Sequence, residues 1–436
     1  MHLRASEIAA ATGGELVGPD VEVDGVAIDS RSIGPGQLFV PIVAERDGHD
    51  FIDVARAAGA TATLSSRPAD PADGTTIVVA DTAAALLAIG RMARDRLPDR
   101  VVGITGSVGK TTTKDLLRSI LAQRFVTAAS AASFNNELGV PLTLANAPGD
   151  AEAAVIEMGA RGHGHIALLC SIARPTIGLI TIVAGAHLEM FGSIDDVATA
   201  KGELIEALPP EGTAVLNIED PRVVAMASRT SAVVTTFGVA GDVRASGIAL
   251  DDELRPSFTL ESLHGSVPVR LAVRGRHNVT NALGAAAAAL AAGCSLDDVA
   301  AGLLATDLSP MRMDLVRTAS GVVILNDAYN ANPTSMRAAL DALAALPAQR
   351  RIAVLGTMAE LGADGAAGHR EVADHAAALG IEVVALAEPA YGVEVCPDVG
   401  AVIARLGPLH DGDAVLAKGS RVAGLERVVA ALVGPS

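Results

Sequence analysis

The chain has 436 residues, 50% of them apolar, with 33 Lys and Arg against 50 Asp and Glu and a formal charge of −17. That length exceeds one ordinary core and predicts two or three domains, while the charge argues against a nucleic-acid groove or an anionic membrane surface and leaves anion binding to local sites. Cys170, Cys294 and Cys396 stand apart, which fits a reducing cytosol and excludes a cysteine-only zinc site. The N-terminus MHLRASEIAAATGG has no long apolar leader core, and no uncharged apolar run approaches the ~20 residues a bilayer needs. The chain therefore reads as cytoplasmic, without membrane insertion.

Residues 1–97 mix short strands and helices and close on a helix-like run over 82–97. Asp29-Ser30-Arg31 ends a strand-like run, and Asp47-Gly48-His49-Asp50 precedes a predicted helix over 51–58. Ser30 and Arg31 can hold a phosphorylated ligand; as an equal alternative, Asp50 caps the helix and Gly48 makes a surface turn.

From residue 98 strands alternate with helices. The stretch VVGITGSVGKTTT over 101–113 reads as a strand, a glycine turn and a helix start, with Leu116, Leu117, Ile120 and Leu121 on one helical face. Unpaired amides and the positive end of the helix dipole suit a polyphosphate there. Gly106, Ser107, Gly109, Lys110, Thr111 and Thr112 form the candidate cradle, with Lys110 reaching the outer phosphates and the Thr111 hydroxyl available to Mg²⁺. The loop is a variant, because Ile104 occupies the position of the first glycine in G-x-x-x-x-G-K-S/T and Gly103 falls one place early.

Strands are predicted at 153–157, 176–183 and 213–217, and a helix at 195–208. This alternation implies a mostly parallel sheet with ligands at the C-terminal ends of its strands. Residues 243–273 alternate as an antiparallel addition, followed by helices over 277–292 and 296–305, the second with Ser295 as N-cap and Asp298 three residues on. A third unit starts near Ser309-Pro310, with strands at 322–326, 352–355, 383–386 and 414–417. It lacks a G-x-G-x-x-G fingerprint, so an NAD site has no support there.

Glu157 ends an all-apolar strand beside the phosphate loop and is well placed to bind Mg²⁺; a salt bridge is the weaker alternative. His187 follows the next strand in the same way, although a lone histidine is more often structural. Lys201 lies four residues after Val197 and four before Ile205, on the apolar face of its helix. Burial there lowers a lysine pKa and leaves neutral amine able to form a carbamate with carbon dioxide; a stem snorkelling to water fits the periodicity equally well. Asn278 is either a reader of base or ribose or a helix cap. In Asp327-Ala328-Tyr329-Asn330-Ala331-Asn332-Pro333, Asp327 suits ribose hydroxyls, and Asn330 with Asn332 can hold a peptide backbone, or the polar groups simply make a turn. Lys418-Gly419-Ser420-Arg421 reads as a cationic nest for a carboxylate.

Taken together, Asp29-Ser30-Arg31, the phosphate loop, the 134–141 stretch FNNELGVP, Glu157 to Arg161, the segment around His187, Lys201, Gly275 to Asn278, Tyr329 to Pro333 and Lys418 to Arg421 resemble the ATP-dependent Mur ligases of peptidoglycan synthesis. The Asn-Asn-Glu, Tyr-Asn-Ala-Asn-Pro and Lys-Gly-Ser-Arg set resembles their D-alanyl-D-alanine-adding branch. The resemblance implies three α/β domains: 1–97 for a UDP-sugar peptide, 98–308 as a P-loop ATPase-like, mostly parallel sheet for ATP, and 309–436 as a Rossmann-like unit for the incoming dipeptide. It also implies roles: Lys110 on ATP phosphates; Thr111, Glu157 and His187 on Mg²⁺; Lys201 as a carbamate; Asn278, Arg312 and Asp327 at the nucleotide. Asn330 and Asn332 would then lie near the dipeptide, and Ser30, Arg31, Asn135, Asn136, Arg161, Lys418 and Arg421 would bind substrate. The implied partners are UDP-N-acetylmuramoyl-tripeptide and D-alanyl-D-alanine, met by a monomer with no nucleic acid.

Ile182 and Ala184 stand where members usually carry Asn and Gly, and Met311 stands where they carry Gly, so the shapes of the magnesium loop and of the nucleotide-facing turn are points to examine. A sister amide ligase such as the diamino-acid-adding enzyme or folylpolyglutamate synthase is the enzymatic alternative. A catalytically silent nucleotide-binding relative is the non-enzymatic one.

Overall fold

The computed structural model describes residues 1–131, 134–185, 188–359 and 361–434. Most strands of its two six-stranded sheets are short apolar runs that feed a helix. The N-terminal residues build a five-stranded sheet in the order Glu15–Val17, Thr75–Val78, Ala62–Ser65, Leu38–Phe39, Val26–Ala27, with His2–Arg4 and Glu22–Asp24 paired beside it. The helix Thr82–Arg94 closes this unit, and its Arg94 is buried. The Arg94 guanidinium donates to the carbonyls of Ala173, Leu97 and Arg174, so one cation satisfies chain ends in two units.

The expected cap at Asp50 is corrected. Asp47 holds that place, accepting from the His49 amide, and Gly48 lies inside a 3₁₀ turn that leads into Ile52–Ala57. Asp47 wins because a carboxylate two residues ahead of a free amide closes an Asx turn, whereas Asp50 already lies within the turn.

The middle of the chain is a six-stranded, all-parallel sheet in the order Val233–Phe237, Thr213–Asn217, Ile177–Ile180, Val101–Thr105, Ala153–Glu157, Thr127–Ala129. Glu157 pairs in register with Ile104, which brings its carboxylate level with the turn after Thr105. The strand expected over 176–183 is shorter, because residues 181–185 leave the ladder to run across the phosphate loop. Arg244–Leu250, Pro256–Ser262 and Gly265–Arg270 form the predicted antiparallel addition, and Leu296–Leu304 starts with the expected Ser295 and Asp298 capping box. Asn278 is not a side-chain cap: it is buried in the first turn of Asn278–Ala291, donating to the Arg274 carbonyl and accepting from Asn281.

The last unit is a second six-stranded sheet in the order Asp314–Arg317, Val323–Asn326, Asp413–Lys418, Arg350–Leu355, Glu382–Leu386, Val395–Cys396. Its two edge strands, the first of them antiparallel, escape the sequence reading because they are short and mixed in character. All three cysteines are free and buried, and no helix among the described residues is long and apolar enough to cross a membrane.

Candidate functional site

The C-terminal strand ends of the two six-stranded sheets face one cavity of about 540 Å³. On the central wall, Gly106 has φ 152° and Gly109 φ 85°. Both need glycine: a Cβ would fall 1.9 Å from Thr181 Oγ1 at the first and 2.4 Å from Asn281 Oδ1 at the second. The helix Lys110–Leu121 starts from Gly109, so its open amides line the cavity. Lys110 Nζ donates to the Gly106 carbonyl at 2.6 Å, folding the ammonium back over the loop.

Below the loop, Thr111 Oγ1 donates to Glu157 Oε2 at 2.9 Å, and Asn135 Nδ2 donates to Glu157 Oε1 at 2.9 Å. Glu157 is 1% exposed and lines the cavity, so a buried carboxylate sits directly against the helix-start hydroxyl. The expected grouping of Thr111 with Glu157 is thus present. His187 lies outside the described residues. Among the described residues no group of three His, Cys, Asp or Glu side chains comes together for a metal. A hydroxyl and one carboxylate still fit Mg²⁺, which takes few protein oxygens and completes its octahedron with water and phosphate.

Lys201 is 3% exposed on Ile194–Glu206 and faces the same cavity, which rules out the snorkelling alternative. Burial, and secondarily the charge of Lys110, hold its amine well below the ordinary value. The neighbouring segment is pinned by its backbone. Ser107 N donates to Ile182 O at 2.7 Å, and Ser107 Oγ donates to Ala184 O and accepts from Ala184 N, each at 2.9 Å. Asn217 donates to Thr181 O and Asp220 accepts from Val183 N. Ile182 and Ala184 are therefore compatible with a formed loop, since main-chain groups set its shape. Asn217 and Asp220 were missed by sequence reading, yet the polar run after the 213–217 strand carries the same signal that identified Glu157.

On the C-terminal wall, Asp327 Oδ2 accepts from Lys418 Nζ at 2.5 Å, and Lys418 also donates to Asn330 O at 3.0 Å. In the predicted cationic nest for a carboxylate, Lys418 is thus a buried ion-pair partner of the chain's own Asp327, and only Arg421 of that motif presents an exposed cation, beside Glu426. Asn332 is corrected in part. Its Oδ1 accepts from Ser335 N and caps Pro333–Ala345, while the residue still lines the cavity. Arg312 lies over the Tyr329 ring at 4.4 Å with its Nε buried and unbonded. Met311 takes φ 61°, so the turn that favours glycine forms here with a longer side chain.

Asn135, Asn136, Arg161, Asn278, Arg312, Asp327, Asn330, Asn332, Lys418 and Arg421 all border this cavity. Ser30 and Arg31 do not. Arg31 is exposed and paired with Asp29, whose carboxyl it holds down at about 2. His277 also faces the cavity, and burial pushes its imidazole below the usual range.

Three family models match consecutive parts of the chain: Mur ligase family, catalytic domain over 22–94; Mur ligase middle domain over 104–289; and Mur ligase, glutamate ligase domain over 311–421. The UDP-N-acetylmuramoyl-tripeptide–D-alanyl-D-alanine ligase of Escherichia coli (strain K12) is 39% identical over 98% of this chain and 97% of its own length. Among solved structures, MurF from Acinetobacter baumannii superposes with a TM-score of 0.89 at 32% identity, covering 99% of each chain. MurF ligase from Thermotoga maritima in complex with ADP gives 0.82 at 29% identity, over 93% of this chain and 96% of that one. With whole-length similarity of this order and all three domain models in sequence, the chain belongs to the Mur ligase family.

Proposed function

We propose that this chain is an ATP-dependent, ADP-forming amide ligase that adds D-alanyl-D-alanine to UDP-N-acetylmuramoyl-tripeptide in peptidoglycan precursor synthesis. The observation that carries the reading is the Thr111–Glu157 contact under a glycine phosphate loop, in one cavity with the buried Lys201 amine. The relatives' shared activity supports the choice of substrates.

A carboxylate resists amines because oxide is a very poor leaving group. Transfer of the γ-phosphoryl group to the tripeptide carboxylate breaks the terminal P–O bond of ATP and gives ADP and an acyl phosphate. The dipeptide amine then attacks that carbonyl, loses a proton, and the tetrahedral adduct expels phosphate to leave the amide.

The chain's own groups divide this work. Gly106, Ser107, Gly109, Lys110 and Thr112 hold the phosphates; Asn278, Arg312 and Asp327 hold the nucleoside end. Thr111, Glu157, His187 and Lys201 would hold Mg²⁺, which when bound neutralises phosphate charge. A neutral Lys201 amine takes up carbon dioxide with loss of one proton, and the resulting carbamate supplies an anionic oxygen. Asn135, Asn136 and Arg161 face the UDP substrate, with Ser30 and Arg31 on its outlying end, and Asn330, Asn332, Lys418 and Arg421 face the dipeptide. The division into 1–97, 98–308 and 309–436 then separates the three reactants, acting in a cytoplasmic monomer. Closure of the cavity would keep water from the acyl phosphate.

The test is phosphate release from Mg-ATP with the UDP-tripeptide, with and without D-alanyl-D-alanine, with products followed by mass. Release that needs both substrates, with a mass gain of one dipeptide, is the expected result. ADP formation without amide rejects the reading.

A further inference from the structure

The helix Lys110–Leu121 carries two adjacent charges, Lys114 and Asp115, that are 2% and 4% exposed and that the proposed chemistry does not use. Neighbouring helical residues point about 100° apart, so both are buried only because this helix is covered on more than one face. Asp115 Oδ1 lies 3.1 Å from Lys114 Nζ, and its Oδ2 accepts from the backbone amide of Ser309 at 2.8 Å. Lys114 Nζ donates to the Ser130 carbonyl at 2.9 Å, and Ser130 Oγ accepts from the Glu157 amide at 3.1 Å. A buried polar chain therefore runs from the backbone of Glu157 to the segment that leaves the central unit.

Ser309 is the last point at which that segment is held by the central unit's helix. Just before it, Ser119 and Thr306 both donate to the Gly302 carbonyl, and a Cβ on Gly302 would meet Ile120 Cα at 2.4 Å. Just after it come Pro310 and two residues with left-handed backbone, Met311 at φ 61° and Met313 at φ 57°. Met313 N then donates to Asp327 Oδ1 at 3.3 Å, so the next anchor belongs to the C-terminal sheet. Residues 310–312 are what connects the two walls of the cavity, and Arg312 is among them.

We infer that Lys114 and Asp115 are positioning residues that fix the base of this connection to the Glu157 end of the nucleotide site, so that the C-terminal wall closes from a set origin. An apolar pair would fill the same space without the cost of burying two charges. What it would lack is an acceptor for the Ser309 amide and a donor for Ser130, the two directional contacts that join the site to the connection. The inference rests on the ligase reading only for its kinetic arm.

The experiment compares Asp115→Ala, Asp115→Asn and Lys114→Met in the full chain. Steady-state kcat, the Kd of Mg-ADP, thermal midpoint, and contraction in solution scattering with a non-hydrolysable ATP analogue plus UDP-tripeptide are read together. Loss of a hydrogen bond to a charged group predicts kcat about tenfold lower in Asp115→Ala with Mg-ADP affinity within about twofold. Its contraction is lost, and Asp115→Asn, which keeps an acceptor for Ser309, recovers most of both. Lys114→Met lowers kcat yet still contracts. Wild-type kcat and contraction in Asp115→Ala overturn the inference, as does a fall in both Asp115 variants that merely follows their thermal midpoints. Should Asp115→Ala not fold, contraction in Asp115→Asn with lowered kcat and normal contraction in Lys114→Met support it, and an unchanged kcat in Lys114→Met overturns it. If the wild type makes no amide, the ligase reading fails by itself, and contraction with the non-hydrolysable ATP analogue alone still reads the anchor.

Discussion

The two walls of the cavity each bury a lysine, Lys201 at 3% exposure and Lys418 at 2%, and they make opposite chemistry of it. On the C-terminal wall Lys418 meets Asp327 and a carbonyl, so its charge is matched in place. On the central wall Lys201 has no ion pair among the described residues, and burial with a nearby Lys110 pushes its amine toward the neutral form. Equal burial thus leaves an ion-paired lysine on one side and an amine held below its ordinary pKa on the other, and the carboxylate neighbour separates the two.

Breaking the C-terminal pair is the harshest test of that contrast. Asp327→Leu strands a buried ammonium and should cost about 3–5 kcal/mol of unfolding free energy, whereas the double variant Asp327→Leu/Lys418→Met should regain most of it. Denaturant unfolding of the two variants measures the difference. Equal losses in single and double variants would mean that Lys418 is not a charge held by its partner.

The central wall predicts the reverse for stability. A lysine with its folded pKa below the unfolded value of 10.5 loses stability as pH falls from 10.5 toward the folded value, because only the unfolded chain takes up the proton. Lys201→Met should therefore melt above the unmodified wild type at pH 7, with the gap closing as pH rises to 10.5. Its kcat should drop about a hundredfold, the scale of losing one charge-stabilising group. A midpoint below wild type at every pH would show that the amine is held charged.

A smaller effect is expected at the loop the central wall has and the C-terminal wall lacks. Gly106→Ala places a methyl against Thr181 Oγ1 at a left-handed position, and Mg-ADP should bind about tenfold more weakly for that strain. Adding Thr181→Ala should return part of the loss, as calorimetric titration of both variants would read.

What sequence could and could not disclose follows the range of each signal. Glu157 was legible because an apolar strand that ends on a carboxylate speaks within five residues, and Lys201 because helical spacing marks its face. The bounds 153–157 and 213–217 are those of the strands themselves. The pairing of Lys418 with Asp327 spans 91 residues and leaves no local trace, so the motif reads as a cationic nest with no partner named within the chain. Lys114 and Asp115 give no local sign of their burial, since nothing near them announces that residue 309 folds back onto their helix. Asp47 and Asp50 compete for one cap, and only the backbone path decides between them.

Asn332 gives the finest discrimination between the walls, because one amide side chain serves two readings. Its Oδ1 already accepts from Ser335 N as a helix cap, and the residue also lines the cavity. Asn332→Asp keeps the accepting oxygen, and aspartate caps a helix as well as asparagine, so the fold should be unchanged. If capping were its whole role, the KM for D-alanyl-D-alanine would stay within about twofold, the spread of a substitution that removes no substrate contact. If the amide donates to the dipeptide, its loss raises that KM while the KM for ATP holds, because the proposed nucleotide contacts, the phosphate loop with Asn278, Arg312 and Asp327, do not include Asn332. A rise in both together would instead place the effect in the helix Pro333–Ala345, and with it the registration of the whole C-terminal wall.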